Sequence, residues 1–148
     1  MKSPKIELPL RTLLVDDEYR SRSSLRILLG HHFPNVVVVG EAETVAEGVQ
    51  LLQSLRPDLV FLDVMLPDGS GFDFLELVKH LSTKVVIVSA FAEYSLRAFQ
   101  YEAVHYLLKP FDLRDLQAAV ARVAAGMQEA PRSDTSPLQG DRLALTTL

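Results

Sequence analysis

Five side chains in this 148-residue sequence are of the types needed to move a phosphoryl group: the Asp16-Asp17 pair, Asp63, Ser89 and Lys109. Each follows closely on a short apolar run, so each is a polar group standing where a strand would end. Taken singly, each has an ordinary explanation. Asp16-Asp17-Glu18 suits the start of a helix, where acids favour the dipole. Asp63 suits a turn, Ser89 a local backbone contact, and Lys109 a solvated head on an apolar stem. Brought to one place, they have a shared chemistry. Three carboxylates in one crevice repel and raise at least one pKa unless a cation shares them. A ligand set of oxygens alone, in a chain with no Cys, selects a hard ion, and Mg²⁺ where phosphate is also bound. A carboxylate beside such an ion can attack a phosphoryl donor in line and form an acyl phosphate. An ammonium and a hydroxyl at the same place stabilise the charge on the phosphoryl oxygens.

The elements that must position these groups are legible as five nearly continuous apolar runs: Thr12 to Val15, Val36 to Gly40, Leu59 to Leu62, Val85 to Val88 and Val104 to Leu107. They alternate with segments of helical period, the pattern of a parallel sheet covered by helices on both faces. The outer two runs have more polar neighbours, as edge strands would. The fold class expected is α/β: a doubly wound five-stranded parallel sheet of order 2-1-3-4-5 with five flanking helices, flavodoxin-like. Ligands of such sheets bind outside the carboxyl ends of the strands, where the strand order reverses. In that order strands one, three, four and five are consecutive, and the five side chains converge on one crevice.

Thr44 followed by Glu47 reads as a capping box, and Asp112 is placed to cap the last helix. In that helix Leu113, Leu116, Val120 and Val123 form one apolar stripe. Tyr106 by itself is an ordinary strand aromatic. His31 and His32 sit at a helix end, and His80 and His105 lack metal spacing, so none is given a role.

Nineteen acids against fifteen bases give a net charge of −4, with no basic cluster to bind nucleic acid. No segment approaches the apolar length that spans a bilayer, and no apolar stretch follows Lys2 and Lys5, so the chain reads as soluble, cytoplasmic and without a membrane partner. After Gly126 the composition turns to Gln, Glu, Pro, Arg, Ser, Asp and Thr, which predicts a flexible linker over 127–140. Residues 141–148 become apolar and alternating again, like the first strand of another domain.

Leu14-Val15-Asp16-Asp17-Glu18, Val60-Phe61-Leu62-Asp63-Val64 followed by Leu66-Pro67-Asp68-Gly69, Ser89-Ala90 and Tyr106-Leu107-Leu108-Lys109-Pro110-Phe111 together resemble the receiver domain of bacterial two-component response regulators, over residues 10–126. The resemblance implies that Asp63 is the phospho-acceptor for a sensor histidine kinase. It implies that Asp16, Asp17, Asp63 and the backbone carbonyl of Met65 hold Mg²⁺, and that Ser89 and Lys109 contact the phosphoryl oxygens. It further implies a cis bond before Pro110 and a switch in which Ser89 and Tyr106 move together. The surface of the fourth helix, fifth strand and fifth helix then changes partners, with homodimerisation on phosphorylation. Such a module is a regulatory phospho-acceptor rather than an enzyme, limited to its own phosphorylation and dephosphorylation. Ala92-Glu93-Tyr94-Ser95-Leu96-Arg97-Ala98-Phe99 is similar to receivers joined to LytTR-type domains, and Arg142 to Leu148 is similar to the start of such a DNA-binding domain. DNA would be bound only through that absent part. Two departures stand out: His105 replaces an Asp frequent in the family, and Ser89 a frequent Thr. Met65 and Phe91, each two residues past a site residue, are bulky and apolar and are expected to shield an acyl phosphate from water. Among other functions, a phosphatase of the haloacid-dehalogenase type needs a second acid where this chain has Met65. A flavodoxin-like redox role lacks a Ser/Thr-rich phosphate loop after strand one. An interaction module that never needs phosphate stays open.

Overall fold

The computed structural model describes residues 9–129. Five strands form one parallel sheet: β1 (Leu10–Val15), β2 (Val36–Ala42), β3 (Leu59–Asp63), β4 (Lys84–Ser89) and β5 (His105–Leu108), in the order β2-β1-β3-β4-β5. Five α-helices alternate with them: α1 (Tyr19–His32), α2 (Val45–Leu55), α3 (Gly71–Val78), α4 (Ser95–Gln100) and α5 (Leu113–Glu129). This is the expected doubly wound arrangement, with strand boundaries within two residues of those read from the apolar runs. All five residues of β3 are buried, whereas β2 and β5, the sheet edges, are only partly covered.

Strand residues alternate between two cores because successive side chains leave opposite faces of a pleated sheet. Leu13, Val15, Val60, Leu62 and Ile87 pack toward α2, α3 and α4, with Leu52, Phe72 and Phe74. Leu14, Leu59, Phe61, Val86 and Val88 pack toward α1 and α5, with Leu25, Leu29, Leu116 and Val123. Of the apolar stripe expected on α5, Leu116 and Val123 are fully buried and Val120 partly, with the small Ala119 buried beside them.

Helix ends show where local chemistry departs from the sequence reading. The Thr44 hydroxyl accepts from the Glu47 amide at 3.0 Å, but the Glu47 carboxylate reaches the Glu43 amide and not that of Thr44, so the expected reciprocal box is shifted by one residue. A complete box forms instead at α3, where Ser70 and Asp73 cap each other's backbone. Asp112 caps α5 as expected, accepting from the Asp115 amide at 2.9 Å. Helix α5 continues past the boundary expected at Gly126 to Glu129. A helical Gly costs only about 1 kcal/mol, and here Met127 packs onto the α1–α5 core. The remainder of the expected linker and residues 141–148 lie outside the described residues.

Candidate functional site

The carboxyl ends of β1 and β3 lie side by side, because Val15 pairs with Leu62 in the parallel register. Asp16 and Asp17 leave the end of β1 and Asp63 closes β3. One oxygen from each of Asp16, Asp17 and Asp63 lies within 4.8 Å of the other two. Asp16 and Asp63 are each only 8% exposed, while Asp17 faces solvent. From β5, the Lys109 ammonium donates to Asp16 Oδ2 at 3.0 Å and to Asp63 Oδ2 at 3.2 Å. The Lys109 amide donates to the Ser89 carbonyl at 2.7 Å, and the Lys109-Pro110 bond is cis, as expected.

Burial raises the Asp63 pKa, opposed by the Lys109 charge and abetted by the neighbouring Asp16. Burial works against the Lys109 charge as well, but the hydrogen bond to Asp16 and the charge of Asp63 outweigh it, and its pKa is raised. Three carboxylates and one ammonium leave two negative charges uncompensated, which a divalent cation would match. Oxygens grouped within 4.8 Å of one another are near enough to share one small hard cation, whose octahedral shell has bonds of about 2.0–2.1 Å. The residues fit that ion.

The remaining sequence-predicted residues surround this cluster. Met65 begins a two-residue strand that turns back through Gly69–Ser70, and its amide donates to Asp63 Oδ1 at 3.2 Å. Ser89, fully buried at the end of β4, has its hydroxyl engaged by the Phe91 amide at 3.0 Å. Tyr106 donates from its phenol to the Phe91 carbonyl. Each side chain instead holds Phe91, Ser89 through the backbone amide of that residue and Tyr106 through its carbonyl. Met65 and Phe91 are both exposed. A cavity of about 510 Å³ opens beside Asp16, Asp63 and Lys109, walled by apolar residues including Leu25, Leu28, Phe61 and Phe111.

Three contributors were missed by sequence reasoning. Arg22, 7% exposed, donates to the Asp16 carbonyl at 2.7 Å and to Glu41 Oε1 at 2.8 Å. Its signal was present: Arg22, Leu25 and Leu29 share the buried stripe of α1, and a charge on such a stripe demands partners. Asp68 accepts from the Val45 and Ala46 amides at 2.7 and 3.1 Å and so caps α2 from a distant loop. These contacts hold its pKa low. No local pattern reveals a pairing across that separation. Gly71 follows Asp63 closely in space, and a Cβ there would stand 2.6 Å from the Asp63 carbonyl oxygen.

A model of the response regulator receiver domain matches residues 12–121. The chain is 37% identical to the sensory transduction protein LytT of Enterococcus faecalis, over 92% of this chain and 61% of that protein. It is also 37% identical to the transcriptional regulatory protein BtsR of Escherichia coli K12, over 92% of this chain and 56% of that protein. It thus spans less than two thirds of the length of these relatives. Among solved structures, the REC domain of AraT from Geobacillus stearothermophilus superimposes with a TM-score of 0.76 at 25% identity, covering 84% of this chain and all 100% of that one. A LuxR-family two-component response regulator from Aurantimonas superimposes with a TM-score of 0.73 at 28% identity, covering 80% of this chain and 86% of that one.

Proposed function

This chain belongs to the response regulator receiver domain family, whose members are phosphorylation-dependent signalling modules, and we propose that Asp63 is the carboxylate on which it accepts a phosphoryl group. The observation that carries this reading is the position of Asp63: buried at the end of the central strand, between the Asp16-Asp17 pair and the Lys109 ammonium, beside an open cavity. Asp16, Asp17 and Asp63 with the Met65 carbonyl would hold Mg²⁺, which neutralises phosphoryl oxygens when bound. The chain's own residues do the rest. The Met65 amide and Lys109 fix the two oxygens of Asp63, so that the carboxylate is held in one orientation for attack. Lys109 and the Ser89 hydroxyl then serve the transferred group, and a Ser89 side chain that turns toward that group lets go of the Phe91 amide. Release of that amide loosens the residue whose carbonyl Tyr106 holds, which couples the acceptor to α4 and β5.

The donor in this reading is a sensor histidine kinase, in the cytoplasm; among the described residues no helix is long and apolar enough to cross a membrane. The output is transcription, through a LytTR-type DNA-binding domain that would begin at residue 141. Homodimerisation through the α4–β5–α5 face is supported by Leu96, Phe99 and Leu108, large apolar side chains left exposed there. Exposed Met65 and Phe91 flank the acceptor and would slow loss of the phosphoryl group by excluding water. The chain acts as a regulator, with no chemistry beyond gaining and losing its own phosphoryl group.

Incubation with Mg²⁺ and a small acyl-phosphate donor, followed by intact mass, tests the reading. One added phosphoryl group is expected in wild type, dependent on Mg²⁺ and absent from Asp63→Asn. No addition with any donor would replace this function by an interaction module that works without phosphate.

A further inference from the structure

The corner between β1 and α1 carries two of the three carboxylates, yet α1 has no side-chain N-cap: its N-cap residue, Glu18, makes no such bond. Asp16 does not need one. Its amide donates to the Ala42 carbonyl at 3.0 Å, its Oδ1 accepts from the Glu18 amide at 2.9 Å, and its Oδ2 meets Lys109. Asp17 is different. It is exposed, and among the described residues its carboxylate has no hydrogen-bond or ion-pair partner, so only its backbone fixes where the side chain begins.

That backbone is held by a buried guanidinium. Arg22 Nη1 donates to the Asp16 carbonyl, the oxygen of the peptide unit joining Asp16 to Asp17, at 2.7 Å. Its Nε is fixed on Glu41 at 2.8 Å and its Nη2 reaches Glu43 at 3.3 Å, so the fork is anchored on the end of β2 and its immediate neighbour. A planar guanidinium with three acceptors has little freedom, and it transfers that rigidity to the peptide it binds. We propose that Arg22 is a positioning residue for the cation pocket: it fixes the Asp16–Asp17 peptide and thereby aims the Asp17 carboxylate at the ion. This rests on the reading of Asp16, Asp17 and Asp63 as the Mg²⁺ ligands. Partners one step removed from a metal orient its ligands in this way.

Mg²⁺ titrations followed by amide NMR shifts, with thermal unfolding in parallel, test it on wild type, Asp17→Asn, Arg22→Met, Arg22→Lys and Glu41→Gln. Arg22→Met is expected to lose roughly 10–100-fold in Mg²⁺ affinity, whereas Glu41→Gln, which weakens the same ion-pair network but spares the Asp16 carbonyl, stays within about twofold of wild type. Both variants should unfold at lower temperature, so a purely structural Arg22 would predict the same affinity change in the two. If Arg22→Met does not fold, Arg22→Lys replaces it, since a point-like ammonium lacks the rigid planar fork that spans Glu41, Glu43 and the carbonyl; its affinity should fall below that of Glu41→Gln. Equal affinities for the Arg22 variant and Glu41→Gln overturn the inference. Wild type that binds no Mg²⁺, or Asp17→Asn that binds as wild type does, overturns the underlying metal site instead.

Discussion

Helices α2 and α4 both pack on the same face of the sheet, and they are secured very differently. Helix α2 has eleven residues, a Thr44 cap, a second cap from Asp68, and Arg11 donating to the Leu55 and Arg56 carbonyls at its far end. Helix α4 has six residues, no side-chain N-cap, and only Ala98 buried. Its ties come from outside: Arg97 over the Phe72 ring at 4.3 Å, the Tyr101 phenol on Glu76 at 2.8 Å, and the Phe91 amide and carbonyl held by Ser89 and Tyr106. An element with many buried apolar contacts and satisfied ends opens only with the whole fold, while one lacking them opens alone. The difference places rigidity around Asp63, the proposed acceptor, and compliance on the α4–β5 side, where two ties depend on Ser89 and Tyr106. A switch needs both: a fixed site to receive a charge and a neighbour that can change position at low cost.

The largest effect that would break this division comes from Gly71, at the joint between β3 and α3. Its missing Cβ would meet the Asp63 carbonyl at 2.6 Å and the Val64 Cα at 3.2 Å, both backbone atoms that cannot swing aside. Gly71→Ala is expected to cost about 3 kcal/mol, the upper end for overpacking, read as a lower urea midpoint with an unchanged slope. An unchanged midpoint would mean that the Asp63 side yields as easily as α4, and the comparison would lose its basis.

A smaller and more selective change is Thr44→Ala, which removes one cap of α2 and should cost about 1 kcal/mol. Hydrogen exchange sharpens the test, because the loss should appear in α2 amides and leave α4 unaffected. In wild type the α4 amides should already exchange faster than those of α2; equal protection of the two helices would contradict the division. This cap also marks how far the sequence could be read. The Thr44 to Glu47 spacing is local, and a local rule found the helix start, as the apolar runs found all five strands and the strand ends found Asp16, Asp17, Asp63, Ser89 and Lys109. What stayed hidden depends on partners brought together by the fold. Asp68 looks like a turn residue until α2 arrives above it, Arg22 like a surface charge until Glu41 and Glu43 close on it, and Gly71 like a flexible hinge until β3 is laid against it. The Glu47 carboxylate chose the Glu43 amide over that of Thr44, a shift that depends on how β2 enters the helix and not on spacing.

The smallest expected effect probes the compliant side through pH. His105 lies on β5, partly buried, and its pKa is lowered, first by burial and then by the positive Arg122 on α5, with Asp115 on the same helix opposing. A folded-state pKa below the unfolded value of 6.5 means that the unfolded chain binds the proton more readily. The stabilising contribution is therefore complete above that value and is lost as pH falls through the lower folded-state value. His105→Gln stays neutral throughout, so between about pH 7.5 and about pH 5 its stability should decline less than that of wild type. Because His105 is partly exposed, solvent screening keeps the difference well under the ~1 kcal/mol of a lost cap. The same decline in both proteins would show that protonation at this edge strand is not disfavoured by the fold. A difference that also appeared as reduced exchange protection in α2 would be the more serious result, since a charge on the compliant side would then be felt on the rigid one.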